Sequence, residues 1–343
     1  MGSNTKVSWI DHVHGDPLPW LLADDAPAVR AATLQRLLDR AADDPEVVTA
    51  RQRAMRADPI RSILAAQDPE GWWAKPGPGY SPKYRSTVWQ VIFLDQLGAD
   101  GAHAQVQKAC DYVLRWTATS GGGFGCSGAV TGPPPPSRVI HCLNGNLVRA
   151  FLGFGLLDDE RVRPGIEWAA RTILGEGVDR WYASGTSGPL FACAANEGKP
   201  CAWGALKELS ALARIPRQHR EPLVHRAVEA GIAFLFSRDP VAADYPMGWG
   251  NVVPSRVWFR PGFPLGYSAD VLQTLEVLAE LNHARDPRLR SALGWLESQQ
   301  DADGRWRNRH AFAGKTWVPI EQAGTPSKWV TLRACTVLRA AYG

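Results

Sequence analysis

The chain has 343 residues, with 38 Lys+Arg against 34 Asp+Glu for a net charge of +4, and 45% of it is hydrophobic. At about 100–200 residues per domain, this length admits two or three domains or one large ring-like one, with a core that needs no disulfides. A charged share of 21% excludes wholesale disorder, and a small net charge without a run of like charges excludes nucleic-acid binding of the ordinary electrostatic kind. No stretch approaches the roughly 18 consecutive apolar residues of a membrane span. The opening MGSNTKVSWIDHVHGD has neither the charged start nor the apolar centre of a signal peptide. The expectation is a cytoplasmic protein whose six cysteines stay reduced, so that burial, metal or chemistry must explain them.

In chain order, residues 27–56 (PAVRAATLQRLLDRAADDPEVVTARQRAMR) read as two helices flanking whatever follows, which sets residues 1–58 apart as an N-terminal extension. From there to residue 343 the sequence repeats. Residues 60–73 (IRSILAAQDPEGWW) and 292–306 (ALGWLESQQDADGRW) each give an apolar helix turn, a Gln, an acidic Gly-containing turn and a Trp. Weaker copies occupy 109–124, 165–181 and 231–249. Neighbouring copies lie about 45–60 residues apart, as helical-hairpin repeats do. The 15 tryptophans of the chain are thus partly periodic.

Between these copies run segments apolar nearly all round at helical spacing: 86–97, 140–154, 201–212, 267–281 and 327–338. Such helices belong inside, whereas 221–236 and 288–299 carry full polar faces and belong outside. Inner and outer helices in alternation close most simply into an all-α fold, an α/α barrel of about five to six helical hairpins.

The pattern QDADGRW at 300–306, with its near-copy at 67–73, resembles the QW motif of squalene–hopene cyclases. The stretches SPKYRSTVWQ, VIHCLNGNLVRA, FACAANEGKPCAWGALKEL, FPLGYSADVL and TPSKWVTLRA are similar to bacterial prenyltransferase/squalene-cyclase repeat proteins, from about residue 60 to the end. This resemblance implies an α/α toroid and a hydrophobic substrate of isoprenoid type. The chain departs from class II terpene cyclases in lacking a D-x-D-D acid: Asp24-Asp25, Asp43-Asp44 and Asp158-Asp159 stand without a third carboxylate. Protonation-initiated cyclisation is therefore disfavoured.

Unusual residues gather where the inner helices begin. Tyr84 and Arg85 precede the first; His141, Cys142 and Asn144 open the second; Cys201 and Trp203 the third; Tyr267 and Asp270 the fourth; Lys328 and Trp329 the fifth. In a ring of parallel inner helices these positions converge on one mouth. Helix N-termini suit an anion there, aided by loop cations such as Lys83, and aromatics, Trp258 among them, suit an apolar or cationic body. Cys142, Cys193 and Cys201, with His141, form a candidate zinc set, and Cys126 is a spare. Lanthionine cyclases, another zinc-bearing toroid, hold their metal with a Cys in a C-x-G turn and an adjacent Cys-His pair. CAWG at 201–204 and His141-Cys142 look similar, with the order reversed. Four ligands would close the site and make it structural; if His141 turns away it acts as a general base, or as a hydrogen-bonded structural residue, and a position on the metal is open. Tyr267 and Asp270 read either as a proton-transfer pair one helix turn apart or as a helix cap beside an aromatic. Cys110 and Cys335 read as buried small hydrophobes.

Three functions follow as alternatives. The first is a terpenoid-cyclase- or prenyltransferase-like enzyme acting on an isoprenoid or other hydrophobic small molecule, with zinc. The second is a zinc-dependent transferase or cyclase that activates a thiol or hydroxyl in a polar cavity. The third is a non-catalytic ring that binds a ligand or peptide around a structural zinc and whose cavity is plugged by tryptophans.

Overall fold

The computed structural model describes residues 8–127, 132–177, 187–242 and 255–343. Trp181 and Trp249, which end two of the weaker repeat copies, lie outside them. Among the described residues the regular elements are helices, joined by isolated β-bridges and no extended strand. The N-terminal part holds α1 (Leu18–Leu21), α2 (Pro27–Arg36), α3 (Pro45–Met55) and α4 (Ile60–Ala65). The inner helices that follow are α5 (Thr87–Gln96), α7 (His141–Gly153), α9 (Ala202–Ala213), α11 (Val271–Glu280) and α13 (Lys328–Tyr342). Outside them lie α6 (Ala104–Thr117), α8 (Arg163–Leu174), α10 (Pro222–Leu235) and α12 (Arg290–Ser298).

Packing follows the alternation. α5, α7, α9, α11 and α13 each lie against the next, and α6, α8, α10 and α12 back α5, α7, α9 and α11 respectively. The inner helices are buried almost all round: every residue of Thr87 through Leu94 in α5 is buried. The result is an α/α barrel. No helix among the described residues is long and apolar enough to cross a membrane.

The N-terminal segment is more than a flank. α2 lies against α13. Pro27 and Lys328 line one pocket at their starts, and Arg339 donates to the Arg36 carbonyl at their ends, so the two run parallel. Val29, Leu37 and Ala54 belong to the same apolar core as the ring. α2 is therefore a sixth inner helix, started by Pro27 at its first position, where a fixed φ and a missing N–H cost nothing.

The two strong repeat copies make the same bonds. Trp73 donates its indole N–H to the Ile63 carbonyl (2.8 Å) and its backbone N–H to Thr87 Oγ1 (3.1 Å). Trp306 does so to Leu296 (2.8 Å) and Thr331 (2.9 Å). Each Trp, wholly or almost wholly buried, thus ties an outer helix to the first turn of the next inner one. Elsewhere, small residues set helix separation. A Cβ at Gly145 would lie 2.3 Å from the Lys207 carbonyl carbon, and one at Gly204 would lie 2.8 Å from His141 Cβ, so α7 and α9 approach backbone to backbone.

Candidate functional site

The segments leading into α5, α7, α9 and α11 converge, and aromatic rings fill the convergence. Tyr84, with a left-handed φ of 67°, stacks on Phe312 at 4.0 Å between ring centroids and on Tyr267 at 6.4 Å. Trp203 lies 6.0 Å from Tyr267, and Tyr80 lies 5.3 Å from Trp89. The Lys83 ammonium sits 4.6 Å from the centre of the Tyr267 ring and 5.9 Å from that of Tyr80, within cation–π reach of both. The Trp203 indole N–H is buried and has no hydrogen-bond partner among the described residues. Burial pushes the Tyr80 and Tyr84 phenols well above their ordinary range, so both stay neutral donors at physiological pH.

Beside this wall lie the thiols. Cys193 and Cys201 stand on a turn closed by the Ala192–Pro200 bridge, with the Cys201 N–H on the Phe191 carbonyl (2.9 Å) and the Cys193 N–H on the Lys199 carbonyl (3.2 Å). The Cys201 thiol donates to the Cys193 sulfur, which brings Cys193 down to about 6 and holds Cys201 far above the ordinary 9.0. The pair thus favours sharing one proton at neutral pH, with Cys193 the more acidic thiol. Cys142 is half-buried, yet burial pushes its thiol up to about 12, the behaviour of a group that faces an enclosed space. Its electrostatic neighbours include Cys193 and Cys126. Cys110 and Cys335 are buried free thiols in the apolar core.

His141 does not join them. It is 2% exposed, its Nδ1 is 3.4 Å from Glu208 Oε1, and its Nε2 is 3.0 Å from the Gly188 carbonyl. Both ring nitrogens are therefore engaged on the outer side of α7 while Cys142, the next residue, faces inward. The four-ligand set of Cys142, Cys193, Cys201 and His141 does not form: among the described residues no three His, Cys, Asp or Glu side chains are placed to hold a metal ion.

Several other candidates occupy structural places. Asn144 is fully buried, donating to the Gly165 carbonyl and to Glu208 while accepting from the Phe124 N–H. Asp270 is the N-cap of α11: it accepts from the Gln273 N–H at 2.7 Å and lies 3.9 Å from Arg333. Since α11 begins at Val271, Tyr267 sits in the loop before it, and the two residues share no helical face. Trp258 is wholly buried and bonded to the Pro240 carbonyl. Arg85 contacts Gly314 and the Trp317 ring on the exterior. Lys328 pairs with Asp25 and approaches the Trp20 ring. Trp329 stacks on Phe263 at 4.6 Å.

One layer below the mouth the ring carries charge. Lys207 is 0% exposed and donates to Gln273 Oε1 at 2.6 Å; burial brings its ammonium down to about 7, against the pull of nearby Asp270. Arg333, held by three hydrogen bonds to Glu276, continues the layer. The sequence carried a signal for this layer: Lys207-Glu208 is the only adjacent charged pair inside the apolar run 201–212. Two consecutive residues of a helix point about 100° apart, and here Lys207 meets Gln273 of α11 while Glu208 meets His141 of α7.

No protein-family model and no curated protein sequence matches the chain. Solved structures similar to it include a glycosyl hydrolase family 88 protein from Bacteroides vulgatus, 12% identical, covering 92% of this chain and 90% of that one at a TM-score of 0.48. The type II terpene cyclase MstE from Scytonema is 14% identical, covering 84% and 97% at a TM-score of 0.29. A protein from Actinoplanes is 14% identical, covering 84% and 99% at a TM-score of 0.29.

Proposed function

We propose that the chain is an enzyme of the cyclase or transferase type that acts at the N-terminal mouth of its ring on a small molecule with an apolar, isoprenoid-like body and an anionic group. The observation that carries this reading is Lys83 poised 4.6 Å over Tyr267, within the wall of Tyr80, Tyr84 and Trp203 and next to the Cys193–Cys201 pair. An anion suits Lys83, and an apolar body suits the ring faces, which also stabilise positive charge developing on it. Asp270 is committed to capping α11 and to Arg333, so proton donation from a mouth carboxylate is not part of the reading. Departure of an anionic leaving group held by Lys83 starts the reaction instead, with the Cys193 thiolate as base or nucleophile.

The experiment is calorimetric titration with farnesyl diphosphate. Wild type binds, whereas Tyr267→Ala and Lys83→Gln each weaken binding by about tenfold, roughly 1.4 kcal/mol. Equal binding by all three, or none by wild type, overturns the reading.

A second reading is favoured by the ring interior, where Lys207, Asp270 and Arg333 are buried and where Arg149, Glu276 and Arg333 line a small cavity together with Trp329. It is a zinc-dependent transferase or cyclase that activates a thiol or hydroxyl of a polar substrate, and it requires Cys142, Cys193 and Cys201 to move together on binding the metal, since they are not placed for it as they stand. It requires about one zinc per chain, lost in Cys193→Ser and kept in His141→Asn. A metal-free wild type leaves the first reading.

A further inference from the structure

A large cleft lies away from the mouth, where α2 and α3 face the C-terminal ends of α5, α7 and α9. Its volume is about 900 Å³, within the range of small-molecule sites. Beneath it a small cavity of about 50 Å³ reaches into the centre of the ring, and Arg36, Asp95, Gln96, Arg214 and Trp329 line both. The cleft therefore leads into the polar interior.

The charges of this interior are unequally paired. Arg149 and Arg214 both bind Asp95, at 2.9 and 2.7 Å, and Arg333 holds Glu276 through three hydrogen bonds. Two groups are left over. Arg36, at the last turn of α2, has a guanidinium without a hydrogen bond or ion pair among the described residues, and so has the carboxylate of Glu280 at the end of α11. Both side chains are reached by solvent, yet burial disfavours the charged form of each, which marks them as walled in by a concavity. An arginine cannot shed its charge at accessible pH. Open to the cleft and unpaired, the guanidinium is free to meet a ligand there.

Glu280, Glu276 and Asp95 lie near enough to attract that charge, but Asp95 is taken by Arg149 and Arg214 and Glu276 by Arg333. The outer wall adds Arg51 and Arg56 against Asp100, and Arg51 is engaged only with Gln35. The floor is the Ala28, Ala31 and Ala32 side of α2, which leaves room beside the guanidinium.

We propose that this cleft is a second ligand site, and that it takes a small molecule bearing an oxyanion, a carboxylate or a phosphate, which pairs with the guanidinium of Arg36. The planar fork of arginine accepts either oxyanion in bidentate fashion. The site stands apart from the mouth and does not depend on the reading given to it.

The test uses the full chain, with inorganic phosphate and succinate as probes in calorimetry at matched ionic strength. Wild type binds at least one of them saturably. Arg36→Gln loses about tenfold or more in affinity, Arg36→Lys loses less, and Arg61→Gln, which removes an exposed arginine paired with Asp58, leaves binding unchanged. Phosphate alone marks a phosphate-bearing ligand, and succinate alone a carboxylate. In wild type, the bound probe also protects Arg36 from phenylglyoxal, read by peptide mass spectrometry, so the result does not rest on whether a variant folds. Undiminished binding by Arg36→Gln overturns the proposal, as does the absence of both saturable binding and protection.

Discussion

The ammonium of Lys207 donates to Gln273 Oε1 at 2.6 Å, joining α9 to α11 through the middle of the ring. That single bond does not offset the burial of the charge, and the amine is brought down to about 7 from its ordinary 10.5. Between those two values the unfolded chain holds a proton that the folded chain has released, so stability rises with pH across the window and levels off below about 7. Lys207→Met removes this contribution. Denaturant titrations of both proteins from pH 6.5 to 10 are expected to show wild type gaining stability relative to the variant as pH rises. Parallel curves would mean that Lys207 keeps its ordinary affinity for protons.

Gly145 sets the spacing of α7 and α9. Because a Cβ there would meet the Lys207 and Glu208 backbone at 2.3–2.5 Å, Gly145→Ala forces the helices apart. Overpacking of this kind costs roughly 1–3 kcal/mol. The expected result is a lower urea midpoint with the m-value unchanged, whereas an unchanged midpoint would show that the two helices slide freely.

His141 acts mainly on stability, its pull on the Cys193 thiol coming after that of the Cys201 thiol and the Ala195 N–H. Truncating it to Ala leaves Glu208 buried with Asn144 as its remaining side-chain partner, a loss of roughly 1–3 kcal/mol from an unsatisfied buried acceptor. The variant is expected to unfold at lower urea while its Cys193 alkylates at about the wild-type rate. A collapse of that rate with stability intact would restore His141 to the reacting groups.

Much of the architecture is legible in the sequence because it rests on local period. The five long apolar runs fall on α5, α7, α9, α11 and α13 within a few residues at most of their ends, and 27–56 splits into α2 and α3. The site was less legible, since a residue number at a helix start does not say which way its side chain turns. His141 and Cys142 are neighbours that face opposite sides, and Asp270 caps a helix that begins four residues after Tyr267. Lys83 and Tyr80 lie in an irregular loop whose course no period describes, so their approach to Tyr267 emerges only in three dimensions. The same holds for Arg36, whose loose end matters because α2 lies parallel to α13.

The account rests on a thiolate held at the mouth at neutral pH. The measurement that tests it is the pH dependence of iodoacetamide alkylation of the folded chain, resolved cysteine by cysteine by mass spectrometry. Cys193 is expected to react with a midpoint near pH 6, while Cys142 and Cys201 stay protonated and slow throughout the neutral range. A Cys193 midpoint near the ordinary 9.0, or equal rates at all three thiols, would contradict it.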